Sequence, residues 1–232
     1  MNGVHIDGRP ISVRVGGVTL YGELGIPTGA NGVIVFAHGS GSSRLSPRNR
    51  IVAESLRGER FATLLFDLLT PEETASEHYT RRFSFEIGRQ AERLAGITEW
   101  LVSARETRGL RIGYFGASTG AAAALIAAAS RPGLNHVGAI VCRGGRPDLA
   151  GKSVGAVTAP TLLIVGGADP SVLKLNRTAL AALKCEKKLV IVPEATHLFE
   201  EAGALTEVAR HSAEWFNHYL GEARPQSEGG VH

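Results

Sequence analysis

The chain has 232 residues, 44% of them hydrophobic and 20% charged, with 25 Lys and Arg against 22 Asp and Glu. That is enough for one α/β domain with a sizeable core, and a net charge of +3 spread among interleaved acids is no nucleic-acid footprint. No apolar run approaches the roughly 18 residues of a spanning helix, the opening MNGVHIDGRPISVRV lacks a basic-then-apolar leader, and Cys142 and Cys185 lack metal or redox spacing. The expectation is a cytoplasmic protein with no membrane, nucleic-acid or metal partner; its oligomeric state is not readable.

In chain order, two short alternating segments, ISVRV (11–15) and VTLYGELGIP (18–27), flank Gly16-Gly17 and predict an antiparallel hairpin. The pattern then changes to unbroken apolar runs: GVIVFAH (32–38), FATLLFD (61–67), LRIGYFG (110–116), VGAIVC (137–142), TLLIVGG (161–167) and KLVIVPE (188–194). Unbroken character means burial on both faces, as in a parallel sheet covered by helices. Helical periodicity falls at 48–58, 85–105, 118–130, 170–184 and 199–220. Strand and helix alternate, so the predicted class is α/β, a mostly parallel doubly wound sheet with an antiparallel N-terminal hairpin. Residues 1–220 are expected to form one domain, and the polar GEARPQSEGGVH (221–232) a frayed tail. LLTPEETASEHYTRRFSF (68–85) reads as an irregular segment, either a small lid or a solvated loop.

In such sheets ligands bind outside the carboxyl ends of the strands. Ser118 stands there, between Gly116 and Gly120, at the junction of LRIGYFG and an alanine-rich helix. A sharp strand-to-helix turn that presents a nucleophile needs small residues two before and two after it. Helix capping would explain the serine but not both glycines. A serine needs a base, and the base needs an orienting group. His197 follows the last apolar run and Asp169 follows TLLIVGGA, although an Asp there could also cap the next helix. The oxyanion hole is assigned to the backbone N–H groups of Thr119 and of Ser40 in FAHGSGSS, with Gly41 as the alternative to Ser40. His38 is read as a brace for that loop rather than the base.

The motifs HGSGSS, LLFDLLT, GASTG, VGGAD and ATHLFEE make the chain resemble the α/β-hydrolase superfamily, and within it the small dienelactone-hydrolase-like proteins, from about residue 10 to 220. The resemblance implies the α/β-hydrolase fold and a nucleophile, acid and base at Ser118, Asp169 and His197. Dienelactone hydrolases proper carry cysteine where GASTG offers serine, which favours plain serine-esterase activity. Larger members insert a helical cap where about twenty residues (143–160) stand here, so no large cap domain is expected.

Substrate contacts are assigned to Arg143, with Arg146 close behind, as a fork for a carboxylate or phosphate, surface ion pairing being the alternative. Asp67, at the end of FATLLFD, is a further crevice candidate for substrate contact, with a supporting or structural role as the favoured reading. GGRPDLAGKS departs from a phosphate-binding loop in spacing and in Arg146, and no other cofactor pattern occurs, so no cofactor is expected. The function read from the sequence is hydrolysis of small carboxylic esters, lactones or thioesters through an acyl-enzyme on Ser118. A non-catalytic or very slow small-molecule binding module is the alternative.

Overall fold

The computed structural model describes residues 8–80, 83–130 and 136–221, apart from the side chains of 76–80 and 83–86. The unbroken apolar runs become strands of one eight-stranded sheet. In chain order these are β1 (Arg9–Val15), β2 (Val18–Gly25), β3 (Gly32–Ala37), β4 (Phe61–Phe66), β5 (Arg111–Ala117), β6 (Val137–Arg143), β7 (Thr161–Gly166) and β8 (Lys187–Val192). Their spatial order is β1-β2-β4-β3-β5-β6-β7-β8. β1 pairs antiparallel with β2, β2 antiparallel with β4, and all later pairs are parallel. The architecture is that of an α/β-hydrolase.

Helices α1 (Pro47–Gly58), α2 (Pro71–Thr80), α3 (Phe83–Ser103), α4 (Thr119–Ala129), α5 (Pro170–Ala182) and α6 (Ala204–Leu220) connect the strands. Alternation along each buried strand splits the core in two. Val33, Val35, Tyr114, Ile140 and Leu163 face α3, α4 and α5, whereas Ile34, Phe36, Phe115 and Ile164 face α1 and α6. Each such side chain, withdrawn from water, contributes about 1.5–3 kcal/mol to folding. Ala121, Ala122, Ala123 and Ala124 are fully buried, and their small size lets α4 lie close under β5, at the centre of the sheet.

Three segments differ from the sequence expectation. Residues 71–80 are helical, not irregular, because Thr70, Pro71 and Glu73 build a capping box: Glu73 N–H donates to Thr70 Oγ1 at 3.3 Å and Thr70 N–H to Glu73 Oε2 at 2.8 Å. Arg93 of α3 anchors that helix start through Glu73 Oε1 at 2.7 Å. Residues 147–156 form a 3-10 helix kinked at Gly151, packed on α4 and α5 where a cap would otherwise emerge. The last helix begins at Ala204 rather than 199, because the chain takes left-handed backbone at Phe199 (φ 57°) and Gly203 (φ 79°). The predicted tail beyond 221 lies outside the described residues.

Candidate active site

β3 lies between β4 and β5, so the chain leaves it in one direction and returns on the other side. The loops after β3 and β5 therefore part at the carboxyl edge and open a crevice. Both carry residues singled out in the sequence.

Ser118 sits between β5 and α4 with φ 51° and ψ −120°, a conformation that costs on the order of 1–3 kcal/mol for a residue with a side chain. The glycines make the turn possible. A Cβ on Gly116 would lie 2.8 Å from Ala121 N, and one on Gly120 would meet the carbonyls of Ala37 and His38, the latter at 2.6 Å. Ser118 N–H donates to Arg143 O at 3.1 Å, which pins the turn to the end of β6. Its side chain makes no capping bond to α4, so the capping role does not account for it. Instead Ser118 Oγ lies 3.3 Å from His197 Nε2.

His197 stands in the loop after β8, and its Nδ1 is 2.9 Å from Asp169 Oδ2. A carboxylate only accepts, so Nδ1 carries the proton and Nε2 is left to accept from Ser118 Oγ–H. Asp169 does two jobs with separate oxygens. Oδ1 accepts from Val172 N–H at 3.2 Å and Ser171 Oγ–H at 3.0 Å, capping α5, while Oδ2 holds the imidazole. The capping and orienting roles, set against each other in the sequence, coexist.

Thr119 is the first residue of α4, where a backbone N–H has no acceptor within the helix, and the dipole end adds positive potential. The other assigned oxyanion donor is engaged: Ser40 N–H donates to Thr119 Oγ1 at 2.8 Å, and the two hydroxyl oxygens are 3.1 Å apart. Ser40 can therefore serve an oxyanion only if the Thr119 hydroxyl gives way. Gly41, with φ 70°, sits in the turn closed by Ser42 N–H donating to Gly39 O at 3.1 Å.

These groups border a cleft of about 220 Å³ lined by Ser40, Ser118, Arg143, His197 and Leu198, with Arg48 and Asn49 of α1. Its size suits a small acyl group better than a drug-sized ligand, which typically needs about 300–1,000 Å³.

The expected arginine fork is corrected. Arg146 turns away and pairs with Asp148 through Nε at 2.9 Å and a terminal nitrogen at 2.8 Å. Arg143 enters the cleft alone from β6, with its guanidinium 5.7 Å from the Phe199 ring centre. Burial, and then the nearby Arg48, pull its pKa down to about 10. Arg48, in the first turn of α1, carried no local signal in the sequence. Asp67 is a second correction. It does not line the cleft; its Oδ1 accepts Arg44 N–H at 2.7 Å and its Oδ2 pairs with the Arg44 guanidinium, because a carboxylate at a strand end draws the facing loop cation.

His38 is buried, and burial holds its pKa below the ordinary value. Its Nδ1–H donates to Gly39 O at 3.0 Å and its Nε2 accepts Leu68 N–H at 3.1 Å, bracing the loops after β3 and β4. Cys142 is buried in β6, and desolvation pushes its thiol up to about 12. Among the described residues, no helix is long and apolar enough to cross a membrane, and no group of three His, Cys, Asp or Glu side chains is placed to hold a metal ion.

A model of the dienelactone hydrolase family matches residues 20–220. A crystal structure of a dienelactone hydrolase from Anabaena variabilis is 56% identical, covers 93% of this chain and 99% of its own, and superimposes with a TM-score of 0.88. A Xanthomonas campestris protein described as an α/β serine hydrolase without lid shares the fold at 20% identity, with 94% and 97% coverage and a TM-score of 0.73. Two Mycobacterium tuberculosis proteins are 55% identical over 210 residues and carry the provisional name phosphoribosyl transferase. That match takes in 90% of this chain and 46% of theirs, so the chain spans about half the length of these curated relatives.

Proposed function

The chain belongs to the dienelactone hydrolase family, and on that footing we propose that it is a serine hydrolase of small carboxylic esters, lactones and thioesters included, working through an acyl-enzyme on Ser118. The observation that carries the reading is the orientation of Ser118: a strained backbone presents Oγ to His197 Nε2, whose Nδ1 is held by Asp169.

In the first half-reaction Ser118 Oγ attacks the carbonyl carbon while its proton passes to His197 Nε2. The imidazolium is stabilised by Asp169. The oxyanion is held by Thr119 N–H and by Ser40 N–H once the Thr119 hydroxyl has moved aside. Collapse expels the alcohol, or opens the ring of a lactone, with the proton returned from His197. In the second half-reaction His197 deprotonates water, which attacks the acyl carbon and regenerates the Ser118 hydroxyl.

The name carried by the curated relatives does not alter this reading, since more than half of their length lies outside the match. The site in this segment is a nucleophile with its base. Turnover of p-nitrophenyl esters from acetate to octanoate tests the proposal. Wild type should prefer short chains, as the small cleft requires, and Ser118→Ala and His197→Ala should lose turnover by at least about a thousandfold. Equal rates in wild type and Ser118→Ala would remove Ser118 from the chemistry.

A further inference from the structure

Thr119 brings two groups to the site, and they act in opposite senses. Its backbone N–H, at the start of α4, is one of the donors assigned to the oxyanion. Its hydroxyl occupies the other: Oγ1 accepts Ser40 N–H at 2.8 Å and lies 3.1 Å from Ser40 Oγ. Among the described residues, both hydrogen bonds of the Thr119 hydroxyl go to Ser40. Covalent geometry keeps Oγ1 close to the backbone nitrogen of its own residue, so this oxygen stands beside both N–H groups assigned to the oxyanion. Thr119 is 8% exposed and is not among the residues lining the cleft. Ser40 does line the cleft, yet its N–H is committed to an oxygen of a residue that does not.

We propose that the Thr119 hydroxyl is a resting stand-in for the oxyanion, a positioning group that keeps Ser40 N–H engaged until negative charge develops on the carbonyl oxygen. The inference rests on the hydrolase reading. A substrate carbonyl is neutral, so its bond to Ser40 N–H is of the same kind as the one from the hydroxyl, and exchanging one for the other gains little. An oxyanion accepts charge-assisted hydrogen bonds, roughly twice as strong as neutral ones. The exchange therefore turns favourable only as Ser118 adds to the carbonyl, and Ser40 N–H gives the transition state a bond that it withholds from the ground state. Rotation about the Thr119 Cα–Cβ bond to another staggered position carries the hydroxyl away without moving the backbone of α4. Breaking the resting bond remains part of every turnover, so the hydroxyl holds the rate below what the same two N–H groups would give without it.

The test removes the acceptor and keeps the shape. Wild type, Thr119→Val and Thr119→Ser are compared for kcat/KM on p-nitrophenyl acetate and, by calorimetry, for the dissociation constant of trifluoromethyl ethyl ketone. Ser118 Oγ adds to the carbonyl carbon of that ketone, its proton passes to His197 Nε2 and the carbonyl oxygen becomes an oxyanion, so binding reports on the hole without turnover. In Thr119→Val the Ser40 N–H is free, and kcat/KM should rise and the dissociation constant fall by about two- to tenfold. Methyl ethyl ketone, whose carbonyl stays neutral, should change by less. Thr119→Ser restores an acceptor and should lack the gain. A hydroxyl that only braced the loop after β3 against α4 could not produce this result, because its loss would loosen the hole and weaken the adduct. A rate and a ketone affinity in Thr119→Val equal to or below those of wild type therefore overturn the inference, and Thr119→Ala decides in the same way if Thr119→Val fails to fold. A wild type that neither turns over the ester nor binds the trifluoromethyl ketone more tightly than the methyl ketone overturns the hydrolase reading, and this inference with it.

Discussion

Asp169 offers a demanding test, because its two oxygens are asked to accept from opposite sides. Oδ1 takes Val172 N–H and Ser171 Oγ–H, and Oδ2 takes His197 Nδ1–H. An amide has one acceptor oxygen and one donor nitrogen, so Asp169→Asn must fail on one side. If the amide oxygen stays on the α5 cap, its NH₂ group faces His197 and forces the proton onto Nε2. That nitrogen then donates to Ser118 Oγ where it should accept, and turnover should fall on the order of 10⁴-fold. If the amide flips, the imidazole keeps its tautomer, but the first turn of α5 loses its cap. A lost cap costs about 0.5–2 kcal/mol, and at roughly 2–4 °C per kcal/mol for a chain of this size the Tm should drop by about 1–8 °C. Asp169→Ala should show both losses together. Kinetics on a short p-nitrophenyl ester and thermal unfolding by circular dichroism, on the same preparations, give both readings. An Asp169→Asn protein with turnover within about threefold of wild type and an unchanged Tm would refute the two-oxygen account.

Other consequences can be measured in the same way. Gly120→Ala places a Cβ against two backbone carbonyls that cannot swing aside, so it should destabilise by at least the about 1–3 kcal/mol typical of overpacking, read as a lower urea midpoint. His38 is held neutral by burial, so below its ordinary pKa of 6.5 the unfolded chain binds a proton that the folded one refuses. Stability should therefore fall as pH drops from about 6.5 toward the lowered folded value, and His38→Gln should flatten that limb of a pH-resolved urea titration. Glu73 has the opposite sign of charge: hydrogen bonding to Arg93 brings its pKa from 4.5 to about 2. Its contribution is full above 4.5 and is lost as pH falls toward 2, so Glu73→Gln should remove that acid-limb slope and lower the Tm at neutral pH.

How far the sequence could be read depended on the range of the forces involved. The strands were legible to within two residues at most ends, because burial on both faces leaves an unbroken apolar signature in the central strands β3 to β7, and the edge strand β8 keeps an apolar run although it is mostly exposed. Ser118, Asp169 and His197 were nominated from separate strand ends, and the sheet brings them into one hydrogen-bonded line. The helix at 71–80 was not predicted although Thr70-Pro71-Glu72-Glu73 is a local start signal, because the segment is polar and its amphipathic pattern is weak. Arg48 and Asp67 failed for a different reason. Which cation reaches the cleft and which carboxylate is consumed by a neighbouring loop are settled by how distant segments come together, Arg48 beside Arg143 at the cleft and Asp67 paired with Arg44. The bond from Ser40 N–H to the Thr119 hydroxyl is likewise a contact across 79 residues, invisible in either local stretch.

The central claim is that the turn at residues 116–120 exists to present a reactive hydroxyl. Intact-mass spectrometry after exposure to a fluorophosphonate tests it most directly, on wild type, Ser118→Ala and His197→Ala. The account predicts one adduct on wild type, mapped to Ser118, none on Ser118→Ala and strongly slowed labelling of His197→Ala. A folded wild type that stays unlabelled, or an adduct that persists in Ser118→Ala, would contradict it.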